Sequence, residues 1–268
     1  MALVACAVYD TTENGRTWMT EKTLESLAQT VDWNRHRLIL VNNASCEASV
    51  KVMQQCSIPN TTILHNDSNV GTARAVNRAW QMRLPGEHCV KCDNDFVVAE
   101  SGWLDKLEEC IACEPRIGIA ALKRTDLAEW PIQQGGQEYK EHVEYKSKLV
   151  ALPHKYRSDE PWLVVERVSH CIGTCQLYSS ALLDKIGYLF QMGGLYSFDD
   201  GLAAIRAHVA GFWSVFYPHI GITHIDPGNS EFTDWKCRYA GEMMDKFHQV
   251  KAEYLNGTRS IYHGPFDE

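Results

Sequence analysis

Apolar positions along the chain fall into short blocks that alternate between two rhythms. Leu3 to Tyr9 is a nearly unbroken apolar run of small and branched residues followed by polar turn formers, which is the pattern of a buried strand. Beyond it, Thr20 is positioned to cap a helix in which Leu24, Leu27, Ala28 and Val31 recur at the spacing of one helical face. The alternation then repeats. Arg37 to Val41 reads as strand, ending in Asn42 and Asn43, and Ala48 to Gln55 as helix. Thr61 to His65 reads as strand, Thr72 to Met82 as helix, Cys89 to Cys92 as strand, Trp103 to Ala112 as helix behind a Ser101 cap, and Ile117 to Leu122 as strand. From about Lys123 to Val165 the rhythm is lost, and this stretch reads as one long loop or lid. It resumes with a strand near Cys171 to Tyr178, helices over Ser180 to Ile186 and Asp199 to His208, a stop at Gly211, and a strand over Phe212 to Tyr217. A last amphipathic helix sets Trp235, Tyr239, Met243, Phe247, Val250 and Tyr254 on one broad face.

Strands separated by helices predict an α/β fold, a mostly parallel sheet covered on both faces, with ligands gathered at the carboxyl ends of the strands. One domain is expected over 1–226, with halves at 1–122 and 123–226, and a helical segment over 227–268 docked on it. With 268 residues, 45% hydrophobic and 22% charged, the chain can bury a sizeable core, which excludes a mainly disordered protein. Its longest apolar run, Met1 to Tyr9, is nine residues, far below the roughly eighteen that span a bilayer. No secretory signal pattern is present, so the expected location is cytoplasmic. A formal net charge of −8 disfavours indiscriminate binding to phosphate backbones or anionic lipid, although it leaves a local basic groove open.

Candidate chemistry concentrates after the fourth strand. Val90-Lys91-Cys92-Asp93-Asn94-Asp95-Phe96 places two carboxylates at i and i+2 where an apolar run ends, able to meet one divalent cation. Hard oxygen ligands suit Mg2+ or Mn2+, which also take phosphate oxygens. Two aspartates in a surface turn are the simpler alternative. The ten cysteines offer a rival. Cys89-x-x-Cys92 and Cys110-x-x-Cys113, seventeen residues apart, have a four-cysteine zinc spacing. Against zinc, the first pair lies in a strand, where i and i+3 face opposite ways, and the second lies inside a helix.

Upstream stands Asn69-Val70-Gly71-Thr72-Ala73-Arg74, and downstream Phe198-Asp199-Asp200-Gly201 opens a helix carrying Arg206. In this order the motifs resemble glycosyltransferases of the GT-A fold, particularly the family-2-like enzymes, over roughly residues 2 to 226. The resemblance implies a single-domain GT-A fold whose first half binds a nucleotide-sugar donor, UDP- or GDP-linked, and whose second half binds the acceptor. By the same resemblance Tyr9 and Asp10 border the base and ribose, Asn42 and Asn43 stand where relatives commonly carry an aspartate on the base, and Asn69, Gly71 and Arg74 lie against the nucleotide or its phosphates. Asp93 and Asp95 would hold Mn2+ or Mg2+ with His224 as a third ligand, Asp226 would support His224 or begin a turn, and Asp200 would deprotonate the acceptor hydroxyl with Asp199 orienting it. The implied acceptor is a glycan, a small molecule or a modified base in DNA, the last with Trp130 and Trp162 as stacking surfaces. A nucleotidyltransferase or a non-catalytic nucleotide-sugar or zinc-binding protein is the reading from another class.

Overall fold

The computed structural model describes residues 1–125, 148–154, 159–196, 198–227 and 231–267. The first strand, β1 (Ala2–Val8), sets the frame, because its alternate side chains feed two separate cores. Ala2, Val4, Cys6 and Val8 point to one face of the sheet and Leu3 and Ala5 to the other. Helix α1 (Thr17–Thr30) follows, then β2 (Arg37–Asn43), α2 (Glu47–Gln54), β3 (Thr62–Asn66), α3 (Thr72–Trp80) and β4 (His88–Cys92). β1 runs parallel to both β2 and β4, and β2 parallel to β3, each buried strand covered by helices.

The remaining elements are β5 (Phe96–Val97), α4 (Trp103–Cys113), β6 (Ile117–Arg124), β7 (Lys148–Pro153), β8 (Trp162–Val168), β9 (Cys175–Tyr178), α5 (Ser180–Ile186), α6 (Asp199–Val209), β10 (Trp213–His224) and α7 (Glu231–Leu255). Among the described residues the sheet order is β3-β2-β1-β4-β9-β6-β10-β8-β7, with β5 added on β10. β9 runs against β4 and β6, β8 runs against β10, and β10 is parallel to β6. The result is a largely parallel sheet within a single α/β domain. α7 packs Phe247, Val250 and Tyr254 onto Phe190, Met192, Leu202 and Ile205.

Three local expectations are corrected. The long loop over 123–165 contains, in its described part, the antiparallel pair β7 and β8, which extends the sheet at its edge. Residues 126–147, with Trp130, and 155–158 of that stretch lie outside the described residues. Thr20 is not a helix cap: α1 begins at Thr17, and the Thr20 hydroxyl donates to Asp10 Oδ2 at 2.6 Å. Nor does Ser101 cap α4. Gly102 holds that position with φ +76°, in the left-handed region that glycine adopts without strain.

The zinc alternative is overturned by the same geometry. Cys89 sits in the core on one face of the sheet, and Cys92, Cys110 and Cys113 sit in the core on the other. Burial pushes the Cys89, Cys92 and Cys110 thiols well above their ordinary values, the state of packed, protonated side chains.

Candidate active site

The carboxyl ends of β1, β2 and β4 open onto a cavity of about 620 Å³ that also reaches the start of α6, the end of β10 and the start of α7. Asp93, Asp95, Asp199, Asp200 and His224 all line it. The long-range approach has a backbone cause. β5, directly after the Asp93-Asn94-Asp95 turn, pairs with the end of β10 in a register that sets His224 opposite Phe96, and the Ile225 amide donates to the Asp95 carbonyl at 2.8 Å. His224 Nε2 thereby comes within 3.4 Å of Asp95 Oδ2.

Asp95 is the most constrained carboxylate. Arg16 donates to its Oδ2 at 2.6 Å and, with its other terminal nitrogen, to Asp226 Oδ2 at 2.5 Å. Burial alone would raise the Asp95 pKa, but the His224 contact and the Arg16 charge hold the carboxyl well below its usual range. Its second oxygen, Oδ1, is buried with no hydrogen-bond partner among the described residues. An orphaned anionic oxygen beside an aspartate and an imidazole fits a divalent cation, and the mixed oxygen and nitrogen donor set suits Mn2+ well. Asp226 serves as a second counterion for Arg16.

Lys91 joins the two acidic pairs. Its ammonium, only 4% exposed, lies 3.1 Å from Asp93 Oδ1, 2.9 Å from the Gly173 carbonyl and 3.7 Å from Asp199 Oδ2. Burial would strip its proton, but Asp93, Asp199 and Asp200 outweigh that and keep it charged. Asp199 goes the other way: burial, with Asp200 and Asp93 adding to it and Lys91 opposing, pushes its carboxyl up to about 6. Asp200 accepts from the Gly173 amide at 2.9 Å and from the Gly201 amide at 2.8 Å, which orients it at the positive end of α6. A Cβ on Gly173 would stand 2.8 Å from the Lys91 ammonium and 3.1 Å from Asp200 Oδ2, so this close approach needs glycine.

Of the residues expected around the nucleotide, Tyr9, Asn43 and Asn69 line the cavity, whereas Asp10, Asn42, Gly71 and Arg74 do not. Asp10 is buried behind it, holding Asn94 Nδ2 at 2.8 Å and thus the turn between Asp93 and Asp95. Asn42 accepts from the Ser45 amide and contacts His65 Nδ1 at 3.1 Å. Asn43 spends its amide inside the protein, donating to Asn69 Oδ1 and accepting from Asn66 Nδ2 and the Val70 amide. Gly71 has φ +87°, and a Cβ there would lie 2.6 Å from the Gln191 amide. That Gln191 side chain in turn donates to the Val70 and Gly194 carbonyls and accepts from the Arg74 amide. Arg16, Lys91, Gln191 and, from α7, Lys236 are residues that the sequence did not single out.

Among the described residues a closer cluster of metal-type ligands, His36, Asp105 and Glu108 within 4.8 Å, lies outside this cavity. Arg35 already pairs with both acids there, and the N-terminal amine pairs with Glu108 at 2.6 Å.

An open, largely parallel sheet whose strand ends carry this acidic cavity is the GT-A architecture of glycosyltransferases. The glycosyl transferase family 2 model matches residues 19–187, and the chain belongs to that family. Its fold is similar to that of the mannosyltransferase PcManGT from Pyrobaculum calidifontis in complex with GDP-Man and Mn2+, at 15% identity and TM-score 0.67, covering 93% of this chain and 63% of that one. It is also similar to S. aureus TarS 1-349, at 18% identity and TM-score 0.58, covering 96% of this chain and 71% of that one. GalNAc-T7 with UDP, GalNAc and Mn2+ matches at 12% identity and TM-score 0.58, over 84% of this chain and 44% of that one. The chain thus spans less than two thirds of the mannosyltransferase and under half of GalNAc-T7. No curated protein sequence matches it. Among the described residues no helix is long and apolar enough to cross a membrane.

Proposed function

We propose that the protein is a metal-dependent glycosyltransferase that moves a sugar from a nucleoside diphosphate sugar to a hydroxyl acceptor, with inversion at the anomeric carbon. The observation that carries this reading is the single cavity lined by Asp93, Asp95, His224, Asp199 and Asp200 together. GDP-Man with Mn2+ in one similar structure, and UDP with Mn2+ in another, support a nucleotide-sugar donor and that ion.

Asp93, Asp95 through its orphaned Oδ1, and His224 would hold Mn2+ or Mg2+. When bound, the ion neutralises charge on the departing diphosphate. Tyr9, Asn43 and Asn69 would border the nucleoside, with the Asn43 and Asn69 side chains locked to each other at 2.7 Å. Asp200, fixed by two backbone amides, takes the acceptor proton as that oxygen attacks the anomeric carbon from the face opposite the nucleotide. Asp199 and Lys91 set the field around it, the lysine keeping two buried carboxylates from repelling the base out of position. The acceptor is a glycan, a small molecule or a modified base in DNA, and the site of reaction is cytoplasmic.

Incubation with a panel of UDP- and GDP-sugars and Mn2+, read by nucleotide release and mass spectrometry, tests the reading, with water serving as a slow acceptor. Asp95→Ala should abolish the metal-stimulated part of turnover. Unchanged metal stimulation in that variant rejects the metal site, and release of pyrophosphate in place of a nucleoside diphosphate assigns a nucleotidyltransferase.

A further inference from the structure

The cavity contains cations of two kinds. Arg16 is committed to Asp95 and Asp226, and Lys91 to Asp93, Asp199 and the Gly173 carbonyl. Lys236, on the first turns of α7, lines the same cavity, yet it makes no hydrogen bond or ion pair among the described residues. It lies over an aromatic face, the Tyr196 ring, whose centroid is 5.1 Å from Nζ. An ammonium with unspent donors in a part-buried site is costly unless a ligand brings oxygens to it. Burial would lower its pKa, but Tyr196, Asp93 and Asp95 outweigh that and keep it protonated.

The position of Lys236 is built in. Trp235 stacks on Tyr239 with centroids 5.4 Å apart, and Tyr239 donates to the Gly193 carbonyl at 3.3 Å. Further along α7, Lys246 donates to the Met192 carbonyl, and Phe247, Val250 and Tyr254 are buried. The rim segment 192–196 and α7 are therefore one packed unit, and α7 lies wholly outside the stretch that matches the family, residues 19–187.

We propose that Lys236 binds the diphosphate of the donor, so that the C-terminal helix completes the donor site. This rests on the nucleotide-sugar reading given above. In the transfer, the bond between the anomeric carbon and the phosphate oxygen breaks, its electron pair stays on that oxygen, the acceptor oxygen bonds to the carbon, and the acceptor proton goes to Asp200. Lys236 meets the charge that develops on the phosphate and holds the nucleoside diphosphate product.

Calorimetric titration of the native protein, K236Q and K236R with UDP, GDP, uridine and guanosine, in Mn2+, tests this. K236Q should bind the preferred diphosphate at least roughly tenfold more weakly, the loss expected for a hydrogen bond to a charged group. Nucleoside binding should be unchanged, and K236R should recover most of the affinity. Equal diphosphate binding by native protein and K236Q overturns the assignment of Lys236 and leaves the donor reading intact. A parallel loss of nucleoside and diphosphate binding, or no recovery in a folded K236R, assigns the lysine a structural role and also overturns it. If the native protein binds neither diphosphate, the donor reading itself fails and this inference falls with it.

Discussion

Replacing Lys91 with methionine removes the one ammonium that stands between the two acidic pairs, and its effect can be worked out from the contacts. The side chain is 4% exposed, and its loss leaves Asp93 without the 3.1 Å contact and Asp199, whose Oδ2 has no hydrogen-bond partner among the described residues, without the 3.7 Å contact. Breaking a buried ion pair from one side typically costs about 3–5 kcal/mol, because an uncompensated charge stays behind. That cost requires the carboxylates to be ionised. Asp199 has its carboxyl raised to about 6 even with Lys91 present, so the sign is fixed: the protonated form is favoured in the folded state, and stability falls as pH rises from the unfolded value through about 6. Without Lys91 the folded value moves higher still, and each further unit is worth about 1.4 kcal/mol. The destabilisation should therefore be small at pH 5, where Asp199 is protonated in both proteins, and approach its full size at pH 8. Urea unfolding in EDTA at the two pH values, followed by fluorescence, measures it. A pH-independent loss, or one below about 1 kcal/mol at pH 8, would refute the countercharge role.

Two further substitutions probe the same cavity. Asp199→Asn removes a carboxylate that burial has raised from 3.8 to about 6, so it should stabilise the metal-free protein at pH 8 by up to about 3 kcal/mol while lowering turnover. The gain should fade below pH 4, and a less stable variant at pH 8 contradicts it. Gly71→Ala forces a Cβ onto a backbone at φ +87° and to within 2.6 Å of the Gln191 amide. It should cost about 1–3 kcal/mol and raise the donor KM by disturbing the rim held by Gln191, and an unchanged unfolding midpoint refutes it.

The parallel core was legible because strands buried on both faces, such as β1 and the Leu38 to Val41 stretch of β2, are continuous apolar runs set between helical patterns. β7 and β8 were not, because an edge pair alternates: Leu149 is 68% exposed and Leu152 5%, a pattern easily lost among turn residues. Within the site, the acidic positions could be read as motifs, but not their counterions. Arg16 lies 79 residues from Asp95 and 210 from Asp226, beside a run of turn formers that gives no hint of either. Lys91 did carry a signal, since a lysine inside the apolar Cys89 to Cys92 strand must find a buried partner. Asn42 and Asn43 show a different limit. Adjacent residues on a strand face opposite ways, so only one of them could reach the cavity, and the alternation along β2 gives that place to Asn43.

The two acidic pairs differ in what their surroundings do to them, and this divides the labour of the cavity. Asp95 is held ionised by Arg16 and His224 throughout the pH range in which the protein would work, which suits it to a cation and the phosphates it carries. Arg16 takes only Oδ2, which leaves Oδ1 as the free donor without requiring the guanidinium to move. Asp199, by contrast, raised to about 6, changes charge near neutral pH, and Lys91 bridges the change to Asp93. Carboxyls pushed apart in this way mark separate acid-base and electrostatic duties. On the proposed reading, a proton taken by Asp200 would enter surroundings whose charge is adjustable, while the charge released on the diphosphate would be met beside Asp95, whose charge is fixed.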